Sequence, residues 1–480
     1  MSLEITEELI ARQTPEAQAI IRLLLARIAE QDQRIAEQDR RIVELEAELK
    51  SLRKTPQNSS LPPSTQHPHA KPVRQKRKKA KRKRGGQPGH PKHERTLIPA
   101  AECDEVVPVK PTACRRCGEK LQGEDAAPLR HQVWELPQIK PLVTEYQQHR
   151  LVCGGCGEST CAPLPPGVPS GQSGPRLIAF VATLMAHYRQ SKRRTAQFVS
   201  SILNIPCCPA LTVKHQKIVT AALRPAYDEL VGMLPSQPRL NGDESPTKEA
   251  NAKAWLWTFV AQTFTVFAIR GSRAATAISE LLGEAFAGVM SCDRAKMYWR
   301  CGRLQWCWAH LKRDFQALID HKHPQVQRLG RDLMRQEKAL FEHWTRCRDG
   351  TISREKFKRE AEPIREEVES LLLRGRFSGN RRLVGMCREL YEHRDWLWTF
   401  VEVEGVEPTN NAAERALRQA VIWRKLSFGT QSADGSRFVE TMLSTIETCR
   451  QQNRDVLTYV TEAVTARFKG DKCPSLLGGA

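Results

Sequence analysis

The chain reads as a multidomain protein of mixed α+β and α/β class, and three observations predict it. A heptad repeat opens the sequence, two Cys-x-x-Cys knuckles follow, and beyond them β-rich and helical runs alternate and carry isolated acids. At 480 residues the chain is too long for one simple core, and its 40% hydrophobic content is enough for several packed ones. A formal charge of +21 predicts a polyanionic partner, with nucleic acid ahead of an anionic membrane surface.

Residues 1–54 read as a coiled coil. Ile21, Ile28, Ile35, Ile42 and Leu49 recur every seventh residue, while Leu24, Leu45 and Leu52 occupy the companion seam, with Gln31 and Gln38 in its middle. The polar outer faces leave only a narrow apolar stripe, which predicts a homo-oligomer rather than a helix lying on its own chain. Residues 55–100 form a basic linker or arm, because the stretch 54–93 is rich in Pro, Ser, Gln, Lys and Arg and has no acid. Lys76, Arg77, Lys78 and Lys79, then Lys81, Arg82, Lys83 and Arg84, concentrate enough charge to contact several phosphates without reading sequence.

Residues 101–165 read as a zinc-binding module of the zinc-ribbon kind. Cys114 and Cys117 form one knuckle, and Cys153 and Cys156 a second, each followed by glycine. The short spacing lets both sulfurs of a knuckle reach one tetrahedral Zn²⁺, and the glycine permits the tight turn. The apolar stretch 133–152 is expected to supply ribbon strands, and Cys103, Cys161, His131 and His149 are reserve ligands. After a Pro- and Gly-rich linker, residues 175–235 read as a helical region, either helix-turn-helix-like around the Ile-Pro-Cys-Cys-Pro turn or an ordinary helical packing element.

Residues 236–300 change character. Asp243 lies in a strand-like run, two β-rich runs follow, 274–286 reads as a helix, and 288–292 as a strand ending at Asp293. Strand with acid, two strands, helix, strand with acid is the order of the first part of a ribonuclease-H-like core. Glu244 is set aside as a ligand because neighbouring strand residues point to opposite faces. Residues 246–252 read as a polar turn. Residues 301–405 read as a helical insertion, and 406–470 as a catalytic helix followed by the C-terminal part of the core. There Glu414 is the sole acid between Pro408 and Ala433, among Arg415, Arg418, Arg424 and Lys425. Thr409 or Asn410 can cap its helix. Three such carboxylates can hold a pair of Mg²⁺ ions; the plain alternative for Glu414 is an ion pair with Arg418.

Asp-Glu-Ser at 243–245, Ser-Cys-Asp-Arg-Ala at 291–295, Cys-Trp-Ala-His-Leu-Lys-Arg-Asp-Phe at 307–315 and PTNNAAERALRQAVIWRKLSFGTQS from Pro408 closely resemble the insertion-sequence-66 family of bacterial transposases. The order of parts resembles that family too, although Ser245 stands where it often has Thr. The resemblance implies a D-D-E transposase with an RNase-H-like core, in which Asp243, Asp293 and Glu414 match the catalytic acids and bind Mg²⁺ or Mn²⁺. It implies cleavage and strand transfer by two-metal phosphoryl transfer on DNA, both transposon ends and target, with element-encoded accessory proteins as further partners. His310 is then expected to contact the scissile phosphate or assist proton movement, or else to pack within its helix. Arg415, Arg418, Arg424 and Lys425 are expected on DNA phosphates. The competing readings are a noncatalytic zinc-dependent DNA-binding regulator or inactive copy, and a nuclease that hydrolyses without joining. The opening residues lack a secretory pattern and the longest apolar run, 177–186, is too short to span a bilayer. That predicts a soluble intracellular protein, its 15 cysteines thiols or metal ligands, and the resemblance implies that its place is the bacterial cytoplasm, associated with the nucleoid.

Overall fold

The computed structural model describes residues 7–52, 58, 89–91 and 95–477. The basic run of residues 76–84 lies outside them. The described residues fall into two compact units, one within residues 68–142 and the other made by the rest.

Helix α1 (Glu7–Ala11) folds back on α2 (Pro15–Leu52), burying Ile10 at the turn and pairing Arg22 with Glu7 at 3.1 Å. Beyond its first position α2 contains no proline or glycine, so strong helix formers run unbroken for 38 residues, about 57 Å. Leu24, Ile28, Ile35, Ile42, Leu45 and Leu49, the positions of the heptad seam, are exposed along it.

Within residues 95–142 the chain is mostly irregular. The Gln132 amide pairs with both backbone groups of Ile98, at 3.0 and 2.9 Å, and an isolated bridge joins Ala113 to Lys120 around the first cysteine knuckle. In the other unit, β1 (Arg150–Val152) and β2 (Ser159–Cys161) form an antiparallel ribbon around the second knuckle. The strands expected over 133–152 are thus limited to its last three residues. Leu136, Leu142 and Val143 are exposed, and β-prone side chains without a surface to pack on do not sustain a longer strand.

Helices α3 (Pro175–Ala186), α4 (Lys192–Ile202) and α5 (Pro209–Met233) follow. Ser191 caps α4 by accepting from the Arg194 amide. Val219, Leu223, Tyr227 and Leu230 bury one face of α5, which is therefore a core helix along most of its length.

The central sheet is built from β3 (Arg239–Glu249), β4 (Ala252–Val260), β5 (Thr265–Arg270), β6 (Val289–Cys292) and β7 (Arg303–Trp306), with α6 (Ala275–Leu282) between β5 and β6. The spatial order is β5-β4-β3-β6-β7; β5, β4 and β3 are antiparallel, while β6 and β7 run parallel to β3. The helix expected over 274–286 is shorter and stops at Gly283. Residues 246–249, read as part of a turn, continue β3, and only Ala250 and Asn251, both at positive φ, make the hairpin loop. Pro246 is tolerated because β6 pairs with β3 only as far as Asn241, leaving an open side for a residue without an N–H.

The helical segment comprises α7 (Trp308–Ile319), α8 (Pro324–Arg348), α9 (Arg354–Arg376), α10 (Arg381–Glu392) and α11 (Asp395–Glu402). Then come α12 (Asn411–Ser427), α13 (Ala433–Gln451) and α14 (Val456–Lys469). Alternation on β4 separates two cores. Ala254, Leu256 and Val260 pack with Ala413, Ala416, Leu417 and Ala420 of α12, whereas Trp257 and Phe259 join the larger core on the other face. The alanines let α12 approach the sheet closely.

Both sheet edges are sealed by side chains. On β5, the amides of Thr265, Phe267 and Ile269 donate to Thr448, Ser444 and Glu440, which stand four residues apart on α13. On β7, Gln305 accepts from the Phe400 amide of α11 at 2.7 Å, and Thr399 donates to the Leu304 carbonyl. An unpaired edge is a template for association, and these contacts close it. No helix among the described residues is long and apolar enough to cross a membrane.

Candidate active site

On β3, Asn241, Asp243 and Ser245 share the face that meets α12: Asn241 donates to Asn410 at 3.0 Å and Ser245 accepts from Arg424 at 2.9 Å. Glu244 points the other way. There Tyr298 donates to it at 2.6 Å and Arg273 at 2.8 Å, so its oxygens are matched. Gly242 beside it leaves room for Tyr298 and Met290, since a Cβ would stand 3.0 and 2.9 Å from them.

Asp293 follows β6 directly, and its Oδ1 accepts from the Ala295 amide at 2.8 Å. Asp243 likewise anchors Oδ1 on the Glu244 amide at 2.9 Å. Among the described residues no lysine or arginine pairs with Asp243, Asp293 or Glu414. Burial pushes the Asp243 carboxyl well above the ordinary carboxylate range, and the neighbouring charges of Glu244, Asp293 and Glu414 push it further. Acids from β3, the end of β6 and the start of α12 therefore share one electrostatic environment.

Glu414 lies in the first turn of α12, where the helix terminus favours a negative charge. It makes no ion pair with Arg418 among the described residues. Its Oε1 lies 3.7 Å from Nδ1 of His310, too far for a hydrogen bond, and both atoms are buried without a partner. Cys307 completes a group whose ligand atoms lie within 4.8 Å of one another. Burial lifts the Cys307 thiol to about 11, which keeps it neutral, and lowers the His310 imidazole against the opposing pull of Asp293 and Glu414.

Local capping rules pointed to Thr409 or Asn410 as the cap of this helix. Asn410 does hold the N-cap position, yet its side chain makes no capping bond. It is 1% exposed and reaches across the fold instead: Nδ2 donates to the Gly242 carbonyl at 2.6 Å, Oδ1 accepts from Asn241, and its backbone amide donates to Cys307 Sγ at 3.1 Å. One residue thereby fixes the start of α12 against both β3 and the start of α7. Thr258, directly opposite Asp243 on β4, is fully buried with its hydroxyl unpartnered. Neither role has a local sequence signal.

Of the cations expected near Glu414, Arg415 and Arg418 are exposed and form no ion pair among the described residues, and Lys425 is exposed on the last turn. Arg424 points inward, donating to Ser245 and to the Pro246 carbonyl. The two cysteine knuckles have the same backbone turn. Cys114 N donates to Glu119 O and Cys153 N to Glu158 O, each at 2.8 Å; Gly118 N and Gly157 N return to the first cysteine's carbonyl, each at 2.9 Å. Backbone amides, those of Cys117 and Arg116 in one and Cys156 and Gly155 in the other, lower the Cys114 and Cys153 thiols toward the thiolate that metals bind.

Residues 7–96 match a family of unknown function, DUF6444. Two similar proteins come from Sinorhizobium fredii (strain NBRC 101917 / NGR234), both uncharacterized. Protein y4qI is 24% identical over 47% of this chain and 46% of its own length. Protein y4hP is 23% identical over 76% of this chain and 72% of its own. The chain thus spans about half of the first relative and under three quarters of the second. Residues 170–437, more than half the chain, match the Transposase IS66 family, and the chain belongs to that family.

Proposed function

We propose that the chain is a D-D-E transposase that cleaves DNA at the ends of its insertion sequence and joins them to target DNA. What supports this reading is that Asp243, Asp293 and Glu414, carried by three separate segments, lie near enough for the charges of Asp293 and Glu414 to act on Asp243, with no lysine or arginine paired to any of them among the described residues. The sheet order supports an RNase-H-like core, since the first acid sits on the central strand and the second at the end of its parallel neighbour.

Oxygen-rich, unmatched carboxylates fit hard divalent ions. Mg²⁺ or Mn²⁺ held by Asp243, Asp293 and Glu414 would activate the attacking oxygen, from water or a DNA 3′ end, and neutralise charge on the leaving one. Backbone amides hold one oxygen of each aspartate and so fix where the other points. Asn410 holds Glu414 in register with Asp243. His310, whose imidazole burial lowers, stands 3.7 Å from Glu414, where it can take a proton.

The matching knuckle turns support Zn²⁺ on Cys114, Cys117, Cys153 and Cys156. The basic run of residues 76–84 would contact DNA, α2 would pair with a second copy of the chain, and accessory proteins of the element are further partners. The test is Mg²⁺-dependent cleavage and joining of labelled DNA bearing the element ends. Joined products are expected with the natural chain and none with Asp293→Asn. Equal products from both would sink the acidic-site assignment; DNA binding without cleavage by either, accessory proteins supplied, would sink the enzyme.

A further inference from the structure

The solvent face of α12 carries Arg415, Arg418, Ile422 and Leu426 in helical register, and it ends at Phe428. Phe428 is 81% exposed and sits in left-handed backbone at φ +58, a conformation that disfavours a bulky side chain. A glycine would serve that cap without strain, so the aromatic ring is held there at a cost.

The mount is rigid. The Phe428 amide closes the helix on the Arg424 carbonyl at 2.7 Å, and Gly429 presses on the β3–β4 hairpin so closely that a Cβ would stand 2.5 Å from the Lys248 carbonyl. Thr430 then bridges to the hairpin through its amide to Lys248 and its carbonyl to Ala250, both at 2.9 Å. Arg424 ties the last helical turn to Ser245 and Pro246. The elements that carry and brace this cap are basic: Lys248 and Lys253 on the hairpin, and Lys425 on the helix, are exposed.

We propose that Phe428 is a wedge that stacks on a nucleobase of the DNA substrate, inserted at an unstacked step while the cations of α12 and the hairpin follow the phosphates. A strained, rigidly mounted aromatic amid positive charge suits a base face, which needs an apolar plane and tolerates any sequence. The inference rests on the transposase reading for the identity of the substrate. Phe428 stands fourteen positions beyond Glu414, about 21 Å along the helix axis, which places the distortion within about six base pairs of the cleaved bond.

Permanganate oxidation of unstacked thymines tests this, using the full chain on a linear duplex that carries the element end, with affinity measured in parallel. The natural chain should create a hyper-reactive thymine within about six base pairs of the cleavage point. Phe428→Ala should remove it and weaken binding about tenfold, Phe428→Trp should keep it, and Phe428→Gly should lose it while melting at a higher temperature, because the backbone strain is relieved. Phe377→Ala, at an equally exposed aromatic of the helical segment, should change nothing. DNA bound with the same reactivity and affinity by Phe428→Ala would overturn the wedge alone. So would loss of self-association in that variant with DNA contacts intact, since the ring would then face protein. Failure of the natural chain to bind DNA would overturn both the wedge and the transposase reading.

Discussion

The α13–β5 seam buries Glu440 fully and matches it with an amide and two guanidiniums, whereas Asp243, Asp293 and Glu414 are half-buried and pair with no guanidinium or ammonium among the described residues. Glu440 is 1% exposed; it accepts from the Ile269 amide and pairs with Arg270 and Arg437. Burial raises its carboxyl, while that amide and the guanidiniums pull it back. Asp243 has one backbone amide and, beyond that, only like charges. Burial of an acid is therefore not what marks a working site. A carboxylate whose oxygens are already matched holds the fold together, and one that lacks donors is poised for something from outside. The same contrast operates within β3, where Glu244 is matched by Tyr298 and Arg273 and its neighbour Asp243 is not.

The comparison breaks most sharply at Asp243. Asp243→Asn should lower strand cleavage by roughly three orders of magnitude, yet raise unfolding free energy by about 1 kcal/mol through relief of like-charge repulsion and desolvation. Parallel cleavage assays and thermal melts check this; a variant that loses activity and stability together would make Asp243 structural. Glu440→Ala should do the reverse, costing about 3 kcal/mol because the Ile269 amide and two guanidiniums lose their acceptor. Activity per folded molecule should survive, and Glu440→Gln, which keeps an acceptor oxygen, should recover part of the loss. A melting temperature unmoved by Glu440→Ala would show that the seam does not depend on that acid.

Periodicity made one side of this contrast legible and left the other hidden. Period two assigns Asp243 and Glu244 to opposite faces, and the order of strands and helix around Asp243 and Asp293 can be read from local runs of residues. The seam cannot. Glu440, Ser444 and Thr448 read locally as the polar stripe of an ordinary amphipathic helix, and their partners lie more than 170 residues away on β5. Asn410 misleads for the same reason. Its sequence context signals a local cap, while the Gly242 carbonyl, 168 residues distant, takes its side-chain amide. Residues 133–152 err in the opposite direction: their composition favours strands, but propensity acts only where a neighbouring surface receives the side chains.

A smaller effect, read in pH, separates an unmatched site from a matched seam. Because the folded chain raises the Asp243 carboxyl above its unfolded value, the folded state holds that proton more tightly. The associated stability is fully present below the unfolded carboxylate range and is lost as pH rises through the raised value, and Glu244 and Glu440 act in the same direction, so it is the response to Mg²⁺ that separates the site from the seam. Without divalent cations, melting temperature should therefore fall as pH climbs from about 4 toward neutrality, with a loss of about 1 kcal/mol from this cluster. Mg²⁺ prefers the deprotonated oxygens and should flatten or reverse the slope. Asp243→Asn should remove part of the slope and most of its response to Mg²⁺, whereas Glu440→Gln should leave the Mg²⁺ response intact. Melts across pH, with Mg²⁺ and with chelator, decide the matter: a metal response that survives Asp243→Asn and disappears in Glu440→Gln would move the cation site from the sheet centre to the seam.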